Sequence, residues 1–280
     1  MTELHIRESP HTTSTASLVK CPPTQSAVIV PFLYTPSDDG TDENLLILLH
    51  GLGDTHKPFA RLGRQLRLPQ TAVLALRAPE QVPFLYEESY QWYKSFDDLG
   101  EMIERPNPTP ALDLLLKVVD HLTKDCGWPV NKIHIIGFAQ GGSVAAEFGI
   151  LLWKQQLQLQ REREREQGTS DSTSLAKSPS LGSIVTISGP LLSYPTLSSL
   201  NPTPLFVMHD PPPAEAALPA GSIAACRKAY ESVTEVKRTR KESGMPGSKE
   251  SWEPIMRFWS TNLARRQAEG LYEVMSSGTG

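Results

Sequence analysis

The stretch Ile133-His134-Ile135-Ile136-Gly137-Phe138-Ala139-Gln140-Gly141-Gly142-Ser143 decides the fold. A short β-branched run ends in a turn flanked by glycine, and a helical pattern follows. Glycine on both sides lets a strand and a helix approach closely around a strained turn. The tip of the turn, Ala139, falls at the helix N-terminus, where unpaired backbone N–H groups favour negative charge. Working outward, the same alternation recurs. SAVIVPFL (26–33), NLLILLH (44–50), TAVLALR (71–77), KIHIIGF (132–138), SIVTIS (183–188) and TPLFVMH (203–209) read as strands. Several are apolar almost throughout, as strands covered on both faces by helices are. Between them, 57–68, 109–126 and the segment after Gly142 carry helical patterns, with Leu112, Leu115, Leu116, Val119 and Leu122 recurring at helical spacing and Pro110 near the start of its helix. Alternating strands and helices predict an α/β fold with a mostly parallel central sheet and helices on both faces.

Composition narrows the function. The 280 residues suffice for one or two domains. With 27 basic against 31 acidic residues the net charge is −4, which excludes the basic footprint that nucleic-acid binding needs. No run of about 18 apolar residues exists for a membrane-spanning helix, and the N-terminus lacks the apolar core of a secretory signal. Cys21, Cys126 and Cys226 are odd in number and widely spaced. They predict reduced thiols in the cytoplasm or nucleus, with no metal site and no cofactor.

Proline, at 24 residues, exceeds the usual share of about 5% and signals segments outside the core. Residues 1–25 read as a disordered tail, 26–265 as one domain and 266–280 as a second tail. Within the domain, 154–181 reads as a low-complexity insertion. Its REREREQ part is able to continue a helix, with Arg161–Glu164 and Glu162–Arg165 pairs on the surface. Its Ser/Thr/Pro part, 167–181, reads as mobile and dispensable.

A second motif, Leu49-His50-Gly51-Leu52-Gly53-Asp54, follows a strand directly. With Gly137-Phe138-Ala139-Gln140-Gly141-Gly142 it makes the chain resemble the acyl-protein thioesterase/carboxylesterase (phospholipase-carboxylesterase) family of α/β-hydrolases, which has LHGLGD and GFSQGG at these places. Supporting matches follow in order: Ala78-Pro79, Gln91-Trp92-Tyr93, Ser188-Gly189, the strand ending at His209, and Gly244-Met245. The resemblance implies a nucleophile elbow with Gly137 and Gly141 around its tip. It also implies an oxyanion hole formed by the backbone N–H groups of Leu52 and Gln140.

The resemblance equally implies that the catalytic side chains are missing. The nucleophile position holds Ala139, which has no hydroxyl. The acid position of the family's H-G-x-x-D pattern falls on Pro213, with Asp210 and Glu215 nearby but out of register. The histidine position falls on Gly247, and no histidine follows His209. Of the remaining candidates, Ser143 reads as a small packing residue, His50 and His209 as structural, and Asp54 as the fixer of its turn. Trp92 and Tyr93 read equally as pocket lining and as core. The expected function is that of a catalytically degenerate member of the family, binding an acyl chain, a lipid, an acylated protein or another protein. One alternative is a working ester or palmitoyl-protein thioester hydrolase using Ser143 or Ser188. Another is an interaction protein working through the proline-rich loops and the charged insertion.

Overall fold

The computed structural model describes residues 5–7, 19–83, 88–97, 99–167, 180–214, 217–238, 244–266 and 273–275. The central sheet has seven strands: β1 (Phe32–Thr35), β2 (Asn44–Leu49), β3 (Thr71–Leu76), β4 (Ile133–Phe138), β5 (Ser183–Ile187), β6 (Leu205–His209) and β7 (Val233–Lys237). Their spatial order is β7-β6-β5-β4-β2-β3-β1. Every pairing is parallel except that of β1, which runs antiparallel to β3. Among the described residues, five α-helices cover the sheet: α1 (His56–Leu66), α2 (Thr109–Lys124), α3 (Gln140–Gln167), α4 (Ser222–Ala229) and α5 (Lys249–Asn262).

The period-2 geometry of a strand sends alternate residues to opposite faces. Leu45, Ile47 and Leu49 of β2 pack with Leu115, Val119, Val144 and Phe148 from α2 and α3. Leu46 and Leu48 pack with Phe59 of α1 and with Ile255 and Trp259 of α5. Covered on both sides, β2 and β3 are buried at every position, as their unbroken apolar runs predict. On α2 the fully buried stripe runs through Leu114, Leu115, Val118, Val119 and Leu122, and Leu112 and Leu116 flank it half-buried.

The first expected strand is shortened. Residues 24–28 form a turn in which the Thr24 carbonyl accepts from Ala27 and Val28, and Pro31 has no N–H, so pairing begins only at Phe32. Val28 and Val30 are buried all the same.

Parts of the expected tails are among the described residues. Residues 19–25 lie against the domain through Lys20 and Thr24, described below. Arg266 N donates to the Gln70 side chain at 2.7 Å. His5–Arg7 pairs antiparallel with Glu273–Met275. The helix predicted over REREREQ is present, because α3 continues to Gln167. Arg161 there donates to Ser198 Oγ at 2.7 Å. Of the stretch expected to be mobile, residues 168–179 lie outside the described residues, and Leu181 is buried. No pattern had marked α4, β7 or α5.

Candidate active site

Ala139 joins β4 to α3 with φ +46°, a left-handed conformation that a non-glycine residue adopts only under constraint. The constraints are visible. Ala139 N donates to the Ile187 carbonyl at 2.8 Å, and the Ala139 carbonyl accepts from Ser143 N at 3.0 Å. Around the tip, backbone approaches backbone more closely than any side chain allows. A Cβ on Gly137 would lie 2.1 Å from the Gly141 carbonyl oxygen, and one on Gly141 would lie 2.4 Å from that of Leu49. On the third side, a Cβ on Gly189 would stand 2.6 Å from the Ala139 carbonyl oxygen. These are the two elbow glycines read in the sequence, and their role is close approach, not a positive φ.

The loop after β2 faces this elbow. A Cβ on Gly51 would meet the Phe138 ring at 2.8 Å. His50 is fully buried. Its Nε2 accepts from Ala78 N at 2.9 Å, which leaves Nδ1 as the donor to the Gly51 carbonyl at 2.7 Å. Burial lowers its pKa to about 4, so the ring is a neutral brace. Its carbonyl accepts from the Trp92 indole N–H at 2.8 Å. Asp54 accepts from Thr55 N at 2.7 Å, the turn-fixing role expected of it. The Gln140 side chain ties the helix start to the Trp92 segment: Oε1 accepts from Trp92 N at 3.0 Å, and Nε2 donates to the Tyr93 carbonyl at 3.0 Å and to Ser95 Oγ at 2.7 Å. Leu52 is exposed beside this assembly. The elements carrying Leu52 and Gln140 are thus brought together.

On the opposite side of the elbow, Gly247 has open space where a Cβ would point, and Pro213, the residue at which the resemblance implies an acid, lies in the turn after β6. Between β6 and the Gly244 turn lies a side chain that sequence reading missed, Arg238. Its guanidinium is almost fully buried against the equally buried carboxylate of Asp210. Nη2 donates to Oδ2 at 2.9 Å, a charge-assisted hydrogen bond, and Nε lies 2.9 Å from Oδ1. Nη1 donates to the Gly244 carbonyl at 2.6 Å, and Nη2 also reaches Ser188 Oγ at 3.1 Å. One arginine therefore links the end of β5 beside the elbow, the loop after β6 and the Gly244 turn.

The two serines offered as substitute nucleophiles are badly placed for that task. Ser188 has φ +56° and lies one residue from the elbow contact at Gly189, but its hydroxyl faces a cation and not a base. Ser143 is fully buried inside α3. His209, at the end of β6, has Nε2 3.2 Å from Glu235 Oε1 and Nδ1 3.1 Å from the Asp210 carbonyl, so its ring nitrogens are engaged elsewhere than at either serine. Contact with His209 holds the Glu235 carboxyl below its usual range. Glu147, a buried carboxylate on α3, accepts from Leu192 N, Ser193 N and Ser193 Oγ, each at 2.7 Å, and so fixes the loop after β5. Among the described residues, no cluster of three or more His, Cys, Asp or Glu side chains suits a metal ion.

Comparison with known proteins accords with this geometry. The Phospholipase/Carboxylesterase family profile matches residues 34–160. An uncharacterized hydrolase of Mycosarcoma maydis is 37% identical over 239 residues, covering 83% of this chain and 81% of that one. The chain belongs to the phospholipase/carboxylesterase family of α/β-hydrolases. A second uncharacterized hydrolase, from Schizosaccharomyces pombe, is 32% identical over 38% of this chain and 47% of its own. Among solved structures, Zea mays acyl-protein thioesterase 2 superposes with a TM-score of 0.59 at 18% identity, covering 84% of this chain and all of that one, 100%. The Bacillus cereus carboxylesterase gives 0.57 at 14% identity, covering 85% and 97%. These structures share the fold. Among the described residues, no helix is long and apolar enough to cross a membrane.

Proposed function

We propose that this α/β-hydrolase is catalytically degenerate and works by binding an acyl chain, a lipid or an acylated protein in the site around the elbow. The observation that carries the reading is the alanine at the tip of an otherwise complete elbow. Alanine has no group to attack a carbonyl. The neighbouring Asp210–Arg238 pair supports it, since a carboxylate that serves a guanidinium is not available to orient an imidazole. On this reading the N–H groups of Leu52 and Gln140 persist as a polar anchor for a carbonyl or carboxylate, because backbone donors do not depend on the missing side chains.

The test pairs chemistry with ligand retention. The protein is incubated with a fluorophosphonate probe and with short- and long-chain acyl esters and thioesters. It is also examined by native mass spectrometry straight from purification. The expected outcome is no labelling, no turnover above background and retention of an acyl-containing ligand. Turnover of about 1 s⁻¹ or more, in the range of ordinary enzymes, would overturn the reading.

A further inference from the structure

Away from the elbow, at the end of α2, Cys126 and a histidine–carboxylate pair lie under a strap of chain that carries Cys21. Lys20 N donates to Asp42 Oδ2 at 2.8 Å, and Lys20 Nζ donates to the Gly127 carbonyl at 3.0 Å. Thr24 N donates to His121 Nε2 at 3.1 Å. That same ring nitrogen lies 3.7 Å from Cys126 Sγ, and the other ring nitrogen, Nδ1, stands 2.6 Å from Asp125 Oδ2. Cys21 sits between the two anchors, exposed to solvent, and Cys126 lies buried beneath them. Lys20 and Thr24, on either side of Cys21 in the chain, thus contact Gly127, the residue after Cys126, and His121, the ring against the Cys126 sulfur. The third cysteine, Cys226, is buried on α4, on a different part of the sheet.

We propose that Cys21 and Cys126 form a reversible disulfide, which fastens the strap of residues 19–28 to the end of α2. The oxidant is a small disulfide such as oxidised glutathione. The exposed Cys21 thiolate attacks one glutathione sulfur, forming a mixed disulfide and expelling one glutathione thiolate. When the strap shifts, Thr24 N–H leaves His121 Nε2, and that nitrogen takes the proton of Cys126. The Cys126 thiolate then attacks the Cys21 sulfur. A Cys126–Cys21 bond forms, the bond to glutathione breaks, and the departing thiolate recovers the proton from His121. Two protein thiols are oxidised and one glutathione disulfide is reduced to two thiols. With the strap seated, the same geometry restrains the reaction: Cys126 is covered, burial first and the Asp125 carboxylate second hold its thiol above the usual range, and the His121 lone pair is engaged.

The full-length protein is treated with oxidised glutathione, alkylated in denaturant and mapped by mass spectrometry without reduction. The expected product joins the Cys21 and Cys126 peptides, retains no glutathione and leaves Cys226 as the alkylated thiol. Its Tm rises by roughly 5 °C or more, as closing a long loop predicts, and the reductant dithiothreitol reverses the shift. Cys21→Ser, at an exposed position, folds normally and loses both the link and the shift, whereas Cys226→Ala keeps them. Cys21 left carrying glutathione beside a free Cys126 would overturn the proposal. So would a Cys21–Cys21 dimer, or an equal Tm shift in Cys21→Ser.

Discussion

The two sides of the elbow were built to different standards of resemblance. On the β2–β4–α3 side the packing around the turn is tight, and its tip is an alanine. The glycines make their close approaches, Gln140 makes its three hydrogen bonds and His50 braces the loop that carries Leu52. On the β5–β6 side the positions at which the resemblance implies an acid and a histidine are Pro213 and Gly247, and a buried Asp210–Arg238 pair holds the loops together. The difference separates packing from chemistry. The elbow joins the central strand to the central helix, so its geometry is demanded by the core whether or not a reaction occurs. The acid and histidine loops lie at the rim, where a different interaction can close the structure.

The strongest way to break this comparison is to strike the packing side. Gly137→Val would push side-chain atoms into the Gly141 carbonyl, already 2.1 Å from where a Cβ begins. The expected cost is about 4 kcal/mol or more, enough to leave little folded protein by circular dichroism. A variant that melts within a few degrees of the parent would show that the elbow is not held by the core. Next is Arg238→Met, which leaves Asp210 buried without its partner and is expected to cost about 3–5 kcal/mol in urea unfolding. The double change Arg238→Met with Asp210→Leu should recover most of that loss, since no charge is then stranded. Should the double variant remain as unstable as the single one, the pair would not be what holds the rim.

An acid titration sharpens the contrast by touching only the packing side. His50 and His134 lie along β2 and β4, and burial lowers each to about 4. In the unfolded chain both return to the ordinary histidine value of 6.5, so below that pH the unfolded state binds more protons. The stability given by keeping these rings neutral is complete above pH 6.5 and drains away as pH falls toward 4. Between pH 6.5 and pH 5 the loss is about 2 kcal/mol for each ring. Urea midpoints at pH 7, 6 and 5 measure it, and His134→Phe should remove its own share of the slope. A flat profile would mean that neither ring is held neutral.

The elbow was legible because its residues are neighbours in sequence. Glycines four residues apart around the tip, a β-branched run and a helical pattern occupy eleven positions, and local geometry does the rest. Arg238 was not legible. It stands in the basic run Lys237-Arg238-Thr239-Arg240-Lys241, and nothing local marks which cation turns inward. Its partner Asp210 lies 28 residues away, on the next strand over. The run of apolar residues around Glu147 did carry a readable signal, since a lone acid within Val144–Leu152 has to be buried and paired. The strand expected at 26–33 failed for a local reason, the turn at Thr24 and the missing N–H of Pro31. Of the tail boundary at residue 25, the hydrogen bonds of Lys20 and Thr24 reach acceptors 22 and 97 positions away, which no local pattern encodes.

The smallest expected effects come from the tip itself, and they bear most directly on the chemistry. Ala139→Gly should stabilise the protein by about 0.5–1 kcal/mol, because glycine adopts φ +46° without the penalty alanine bears. Ala139→Ser should leave stability almost unchanged and produce at most trace turnover. A lone hydroxyl is a weak nucleophile at neutral pH, and triad members act as a unit. Adding Pro213→Asp and Gly247→His restores the family's residue types, and Gly247 has open space for the new side chain. The triple variant should exceed Ala139→Ser on a short-chain thioester, but stay far below a natural serine hydrolase, since Arg238 still competes for any carboxylate placed beside it. Adding Arg238→Met and Asp210→Leu to the triple variant removes that competitor. A further gain in turnover would assign the remaining defect to the rim, and no gain would place it in the loops that carry residues 213 and 247.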